Sequence, residues 1–133
     1  DKYEGKKSRK SDLICEDIKK FYNSPDEEVL SGAIYKVENV TASDFVRFRK
    51  ILNILKMRNL KFDKKFISAD DENFYCSELV YYILKNTKHD IELKLTRKKL
   101  TGIDAVLLKR DTIAYYPTDV FVKDKNFILI EEW

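Results

Sequence analysis

Asn73-Phe74-Tyr75-Cys76-Ser77-Glu78-Leu79-Val80-Tyr81-Tyr82-Ile83-Leu84 is the stretch from which the fold and any chemistry of this chain have to be read. Leu79, Val80 and Ile83 repeat at helical spacing, so a helix here has one face to bury. Asp70, Asp71, Glu72 and Asn73 crowd the approach, and Asn73 is the expected N-cap because its short amide can accept from a first-turn N–H. The helix should end around Asn86-Thr87, after about three turns. Cys76 then falls in the first turn, at the positive end of the helix dipole, where unpaired N–H groups favour a thiolate without another side chain. The same groups can bind the oxyanion formed when a thiolate attacks a carbonyl. The plainer reading of a free cysteine is a small buried hydrophobe.

Read as a string, Phe62-Asp63, Phe66 and Phe74-Tyr75-Cys76-Ser77-Glu78-Leu79-Val80 resemble the cysteine-helix signature of the permuted papain-like amidases of the YaeF/YiiX type. These are relatives of the NlpC-type cell-wall cysteine peptidases and of the lecithin–retinol acyltransferases. Tyr116-Pro117-Thr118-Asp119 and Phe127-Ile128-Leu129-Ile130 are similar to that family's closing Pro-x-Asp turn and last strand. The resemblance is most specific at residues 75–80 and covers roughly residues 12–133. It implies an α+β papain-like, NlpC-like, circularly permuted domain, with the nucleophile Cys76 at a helix N-terminus on an antiparallel sheet. It also implies a secreted, periplasmic or cell-surface setting.

The bulk of the chain fits one domain. Its 133 residues, 44% hydrophobic, are enough for one core and too few for two. Charged residues make up 37%, with both signs interspersed and a net charge of +3, which is an ordinary solvated surface and no argument for nucleic acid. No apolar run reaches the length of a membrane span, so no integral membrane segment is expected. Two cysteines are too few for a disulfide scaffold, and no Cys or His pair has zinc spacing, so neither metal nor cofactor is implied.

Residues 1–11 are polar, basic and without periodicity, and read as a flexible tail or the remnant of an upstream segment. Leu13, Ile14, Ile18, Phe21 and Tyr22 predict a short strand and two turns of helix, closed by the turn Asn23-Ser24-Pro25-Asp26. Cys15, beside Glu16 and Asp17, reads as structural. Gly32 opens an alternating strand over residues 33–38. Thr41-Ala42-Ser43-Asp44 resembles an N-cap with an acid at N3, starting a helix that runs to about Asn59. Phe45, Phe48, Ile51, Leu52 and Leu55 make its apolar face, and its basic residues a solvated one. Residues 60–73 are irregular, with Phe62 and Phe66 pinning the loop and Asp63 orienting it. Ile91, Leu93 and Leu95 alternate as a strand or extended loop, and Arg97-Lys98-Lys99 is the densest basic cluster. Residues 103–108 read as a strand, 112–115 as another, 120–122 as extended, and 127–130 as the last strand after an Asp124-Lys125-Asn126 turn. Strands so close in sequence predict an antiparallel meander with helices on one side.

Cysteine catalysis needs a thiolate, an imidazole base, a group to orient that imidazole, and an oxyanion hole. Cys76 and the first amides of its helix supply the first and last. The single histidine, His89, follows Cys76 beyond the far end of the same helix, on the order of 20 Å away, out of reach as a base. In the family the histidine precedes the cysteine, on an early strand, and none precedes Cys76. The resemblance therefore implies a domain over residues 12–133 that lacks its N-terminal histidine strand. Since the chain begins at Asp1 rather than Met, the expected explanation is a base lying upstream of these residues; the other is a degenerate relative that has lost it. Ser77 is expected to serve a first-turn N–H, and Glu78 to suit the dipole. Tyr75 either lines the oxyanion site with its hydroxyl or packs. The activity implied is a thiol amidase or peptidase forming an acyl-enzyme on a peptide or amide substrate, with lipid-linked substrates and cell-wall peptides among the family's range. The alternatives are an inactive binding module on the same fold, and a lipid acyltransferase or thioesterase of the same superfamily.

Overall fold

The computed structural model describes residues 11, 13–14, 16–23, 31–66, 73–88 and 90–133. The tail over 1–10, Cys15, the turn residues 24–26, the acidic residues 70–72 and His89 lie outside the described residues. The elements in order are α1 (Ile18–Tyr22), β1 (Ala33–Val37), α2 (Ala42–Met57), β2 (Lys61–Phe62), β3 (Asn73–Phe74) and α3 (Cys76–Thr87), followed by β4 (Thr96–Lys99), α4 (Gly102–Leu108), β5 (Thr112–Tyr115), α5 (Val120–Lys123) and β6 (Phe127–Glu132). The domain is mixed α+β.

The core lies between the two long helices. Leu55 of α2, Ile83 of α3, Leu60 and Phe74 are buried together, with Leu13, Phe48, Ile51, Leu52, Leu79 and Tyr82 packed around them. The Phe74 and Tyr82 rings meet at 5.1 Å, within the range of favourable aromatic pairs. Helix α2 starts as expected. The Asp44 amide donates to Thr41 Oγ1 at 3.1 Å and the Thr41 amide to Asp44 Oδ2 at 3.0 Å, a reciprocal capping box. Phe45, expected on the inner face, is instead exposed, as is Val80 of α3. Each lies at the edge of its apolar stripe, and the α2–α3 seam is narrow enough to leave both outside.

Among the described residues the meander is replaced by three separate two-stranded sheets: β1–β6 antiparallel, β2–β3 parallel and β4–β5 antiparallel. The first strand thus pairs with the last, with a bulge between Ile34 and Tyr35, and Gly32 and Trp133 exchange backbone hydrogen bonds of 3.1 and 3.0 Å at its end. Residues 91–95 are an extended loop that buries Ile91 and Leu93. The strand expected over 103–108 is helix α4, and the extended segment expected over 120–122 is helix α5. Six apolar-rich residues in a row fit either period. Here β4 takes β5 as its partner across the intervening segment, leaving no neighbour for a strand at 103–108, which satisfies its backbone as a helix closed by Lys109 in the left-handed region (φ 52°).

Candidate functional site

The chain reaches α3 through the short parallel pair β2–β3, in which the Asp63 amide donates to the Phe74 carbonyl at 3.0 Å. One residue later the backbone turns from strand to helix at Tyr75 (φ −91°, ψ 163°), which is the N-cap. Asn73, expected in that role, is instead in β3, two residues upstream, because the parallel pairing extends the chain as far as Phe74. Glu78 Oε2 reaches back to the Tyr75 amide at 3.4 Å, the acidic half of a capping box. The Leu79 amide to Tyr75 carbonyl bond, 3.0 Å, is the first rung of the helix, so the amides of Cys76 and Ser77 stand ahead of the ladder.

Cys76 is exposed and carries a free thiol. It borders a cleft of about 270 Å³, lined also by Leu13, Ile14, Leu60, Phe62, Phe74 and Leu79, with Tyr75 and Lys61 completing the wall. The buried-hydrophobe role is therefore excluded for Cys76. The residues on either side of it are the buried ones: Tyr75 at 3% exposure, Ser77 at 6% and Glu78 at 8%.

Both neighbours grip the segment after β5. The Ser77 hydroxyl donates to the Tyr116 carbonyl, and the Tyr116 amide donates to the Tyr75 hydroxyl at 3.0 Å. Tyr116 is thus held by its N–H and its C=O, and its ring meets that of Tyr81 at 4.6 Å. Ser77 accordingly serves a carbonyl across the fold rather than an amide of its own helix. Tyr75 packs, its ring 4.9 Å from Phe66, while its oxygen is occupied by the Tyr116 amide. Burial pushes the Tyr75 hydroxyl above its usual value of 10.0, opposed by the Tyr116 amide and reinforced by Glu78 and Asp63. Burial also raises Tyr116, with Tyr81, Tyr75 and Glu78 adding to it. Both phenols therefore keep their protons at neutral pH.

Asp63 is buried, and its Oδ1 accepts from the Lys65 amide at 2.8 Å, orienting the turn that carries Phe66. Arg110 donates to the Phe66 carbonyl at 3.5 Å. Phe62 is 44% exposed and lines the cleft, while its backbone pairs with Phe74. Tyr116 is the participant that residue-by-residue reading missed; its place in the Tyr-Pro-Thr-Asp turn was the available signal. Among the described residues no group of three His, Cys, Asp or Glu side chains is placed to hold a metal ion. Comparison of this chain with family models, with curated proteins and with solved structures finds no match.

Proposed function

We propose that the chain carries the nucleophile of a cysteine amidase or peptidase on a permuted papain-like scaffold of the YaeF/YiiX type. The observation that supports it is the exposed Cys76 thiol at the first position of a twelve-residue helix, on the rim of a cleft and flanked by buried neighbours that fix its backbone. In the proposed reaction the acid–base group takes the Cys76 thiol proton as the sulfur attacks the substrate carbonyl carbon, and the carbonyl electrons move to oxygen, where the amides at the start of α3 stabilise the anion. Collapse breaks the C–N bond and expels the amine, which takes up a proton from the general acid. The thioester is then hydrolysed by water to the acid and the free thiol. The acid–base group comes from outside the described residues, in line with a histidine on an upstream strand. The mainly aliphatic and aromatic cleft wall also accommodates the acyl chain of a lipid ester, so a superfamily acyltransferase or thioesterase would use the same step. The same wall favours a second reading, a binding module without turnover that grips an apolar peptide or acyl segment.

The test supplies the missing base chemically. The chain is incubated with activated acyl esters and peptide amides at rising imidazole concentration, and acyl adducts are mapped by peptide mass spectrometry. The expected result is a hydroxylamine-labile adduct on Cys76, faster with imidazole and lost in Cys76→Ala. Acyl ligands that occupy the cleft without any adduct on Cys76 would replace the enzyme by the binding module.

A further inference from the structure

Helix α4 spans the tip of the β4–β5 hairpin, and its apolar side faces away from the protein. Ile103, Val106 and Leu107 are 76%, 74% and 72% exposed, and they fall within an arc of roughly 100° on the helix. Single exposed aliphatics are ordinary, but three on one short helix form a patch that calls for a partner. The segment that carries this helix, residues 94–111, holds six cations, Lys94, Arg97, Lys98, Lys99, Lys109 and Arg110, against the two carboxylates Asp104 and Asp111. All four residues of β4 are exposed, and Arg97, Lys98, Lys99 and Lys109 make no ion pair with a described residue. Arg110 is engaged through the Phe66 carbonyl.

Protruding aliphatic side chains on a segment rich in exposed cations match a surface that is apolar within and anionic at its boundary. A duplex or single strand of nucleic acid would meet the cations but leave the three aliphatics of α4 in water. We propose that the β4–α4–β5 hairpin docks on an anionic lipid bilayer, with Ile103, Val106 and Leu107 entering the headgroup–acyl boundary and the surrounding lysines and arginines facing the phosphates. Among the described residues no helix is long and apolar enough to cross a membrane, so this contact is peripheral. It does not depend on Cys76 chemistry.

The experiment is sedimentation of the chain with phosphatidylcholine vesicles, with and without phosphatidylserine, at low and physiological salt. The expected result is binding to the phosphatidylserine vesicles that weakens as salt rises. Neutralising Lys98→Gln and Lys99→Gln should weaken it about fivefold each, and Ile103→Ser/Val106→Ser/Leu107→Ser at least about tenfold. The altered side chains are all exposed, and unchanged thermal unfolding confirms that each variant is folded. Three outcomes would overturn the proposal: no binding to phosphatidylserine vesicles, equal binding to phosphatidylcholine alone, or full binding by the triple serine variant. Binding of an RNA oligonucleotide that the lysine changes abolish and the serine changes spare, without vesicle binding, would assign the patch to nucleic acid instead.

Discussion

Cys76 owes its placement to the buried residues on either side of it. Its two neighbours, Tyr75 and Ser77, are fixed to the backbone of Tyr116, one accepting from its amide and the other donating to its carbonyl. A helix N-terminus held on both sides of its first residue resists fraying, which holds the Cys76 backbone at the cleft rim. Tyr75→Phe keeps the ring packing on Phe66 but deprives the Tyr116 amide of its acceptor. We expect a loss of about 1–2 kcal/mol in urea unfolding, with a smaller loss when Ser77→Ala is already present, because both bonds hold the same residue. Strict additivity of the two changes would show that they do not form one clamp. Cys76 itself was legible from its position at the start of an amphipathic run. The clamp was not, since nothing in the spacing of Tyr75 and Tyr116 along the chain says that they meet.

Helices α2 and α3 were legible because periodicity and capping agreed. Thr41 and Asp44 stood three apart ahead of an apolar stripe, and Asn86-Thr87 closed the second run. Helix α4 was not, because residues 103–108 fit strand and helix alike and the choice was made by the pairing of β4 with β5. The three separate sheets were missed for a related reason: proximity in sequence favours hairpins, whereas β1 finds its partner at the other end of the chain. The cap of α2 also makes a pH prediction. Asp44 is held below its ordinary value of 3.8, chiefly by the Thr41 amide, helped by the Thr41 hydroxyl, Arg47 and Lys88 and opposed by burial. The unfolded chain therefore takes up this proton at higher pH than the folded one. The stabilisation is complete above the unfolded pKa and is lost as pH falls below about 4 through the lower folded value. Urea midpoints of the native chain should drop across that window, and those of Asp44→Asn should drop less. Parallel acid profiles for the two would remove the capping carboxylate as a contributor.

The molecule divides its burial unevenly. Leu55, Leu60, Phe74 and Ile83 concentrate the core between α2 and α3, and the parallel pair β2–β3 and the Tyr116 clamp lie against that same unit. The β1–β6 sheet is built differently. It has two strands, and Ile34, Ile128, Leu129 and Ile130 remain exposed, so little apolar burial reinforces its backbone bonds. Its ties are local: the Gly32–Trp133 bonds at one end, the Glu38 amide to the Asn126 carbonyl at 2.8 Å at the other, and the Phe121–Phe127 ring contact of 5.4 Å. The Trp133 ring also covers Gly32 so closely that a methyl group there would collide with it. A two-stranded sheet without a buried face is marginal by itself. Native-state hydrogen exchange should therefore find two levels of protection, with β1 and β6 amides opening at a lower free energy than those around Leu55 and Ile83. Raising urea should leave the sheet's exchange nearly unchanged while accelerating that of the core, because opening the sheet exposes little new surface. A common free energy and a common urea dependence would instead place the β1–β6 sheet in the same cooperative unit as the helices. The β1–β6 sheet would then be part of what holds the segment around Cys76 together.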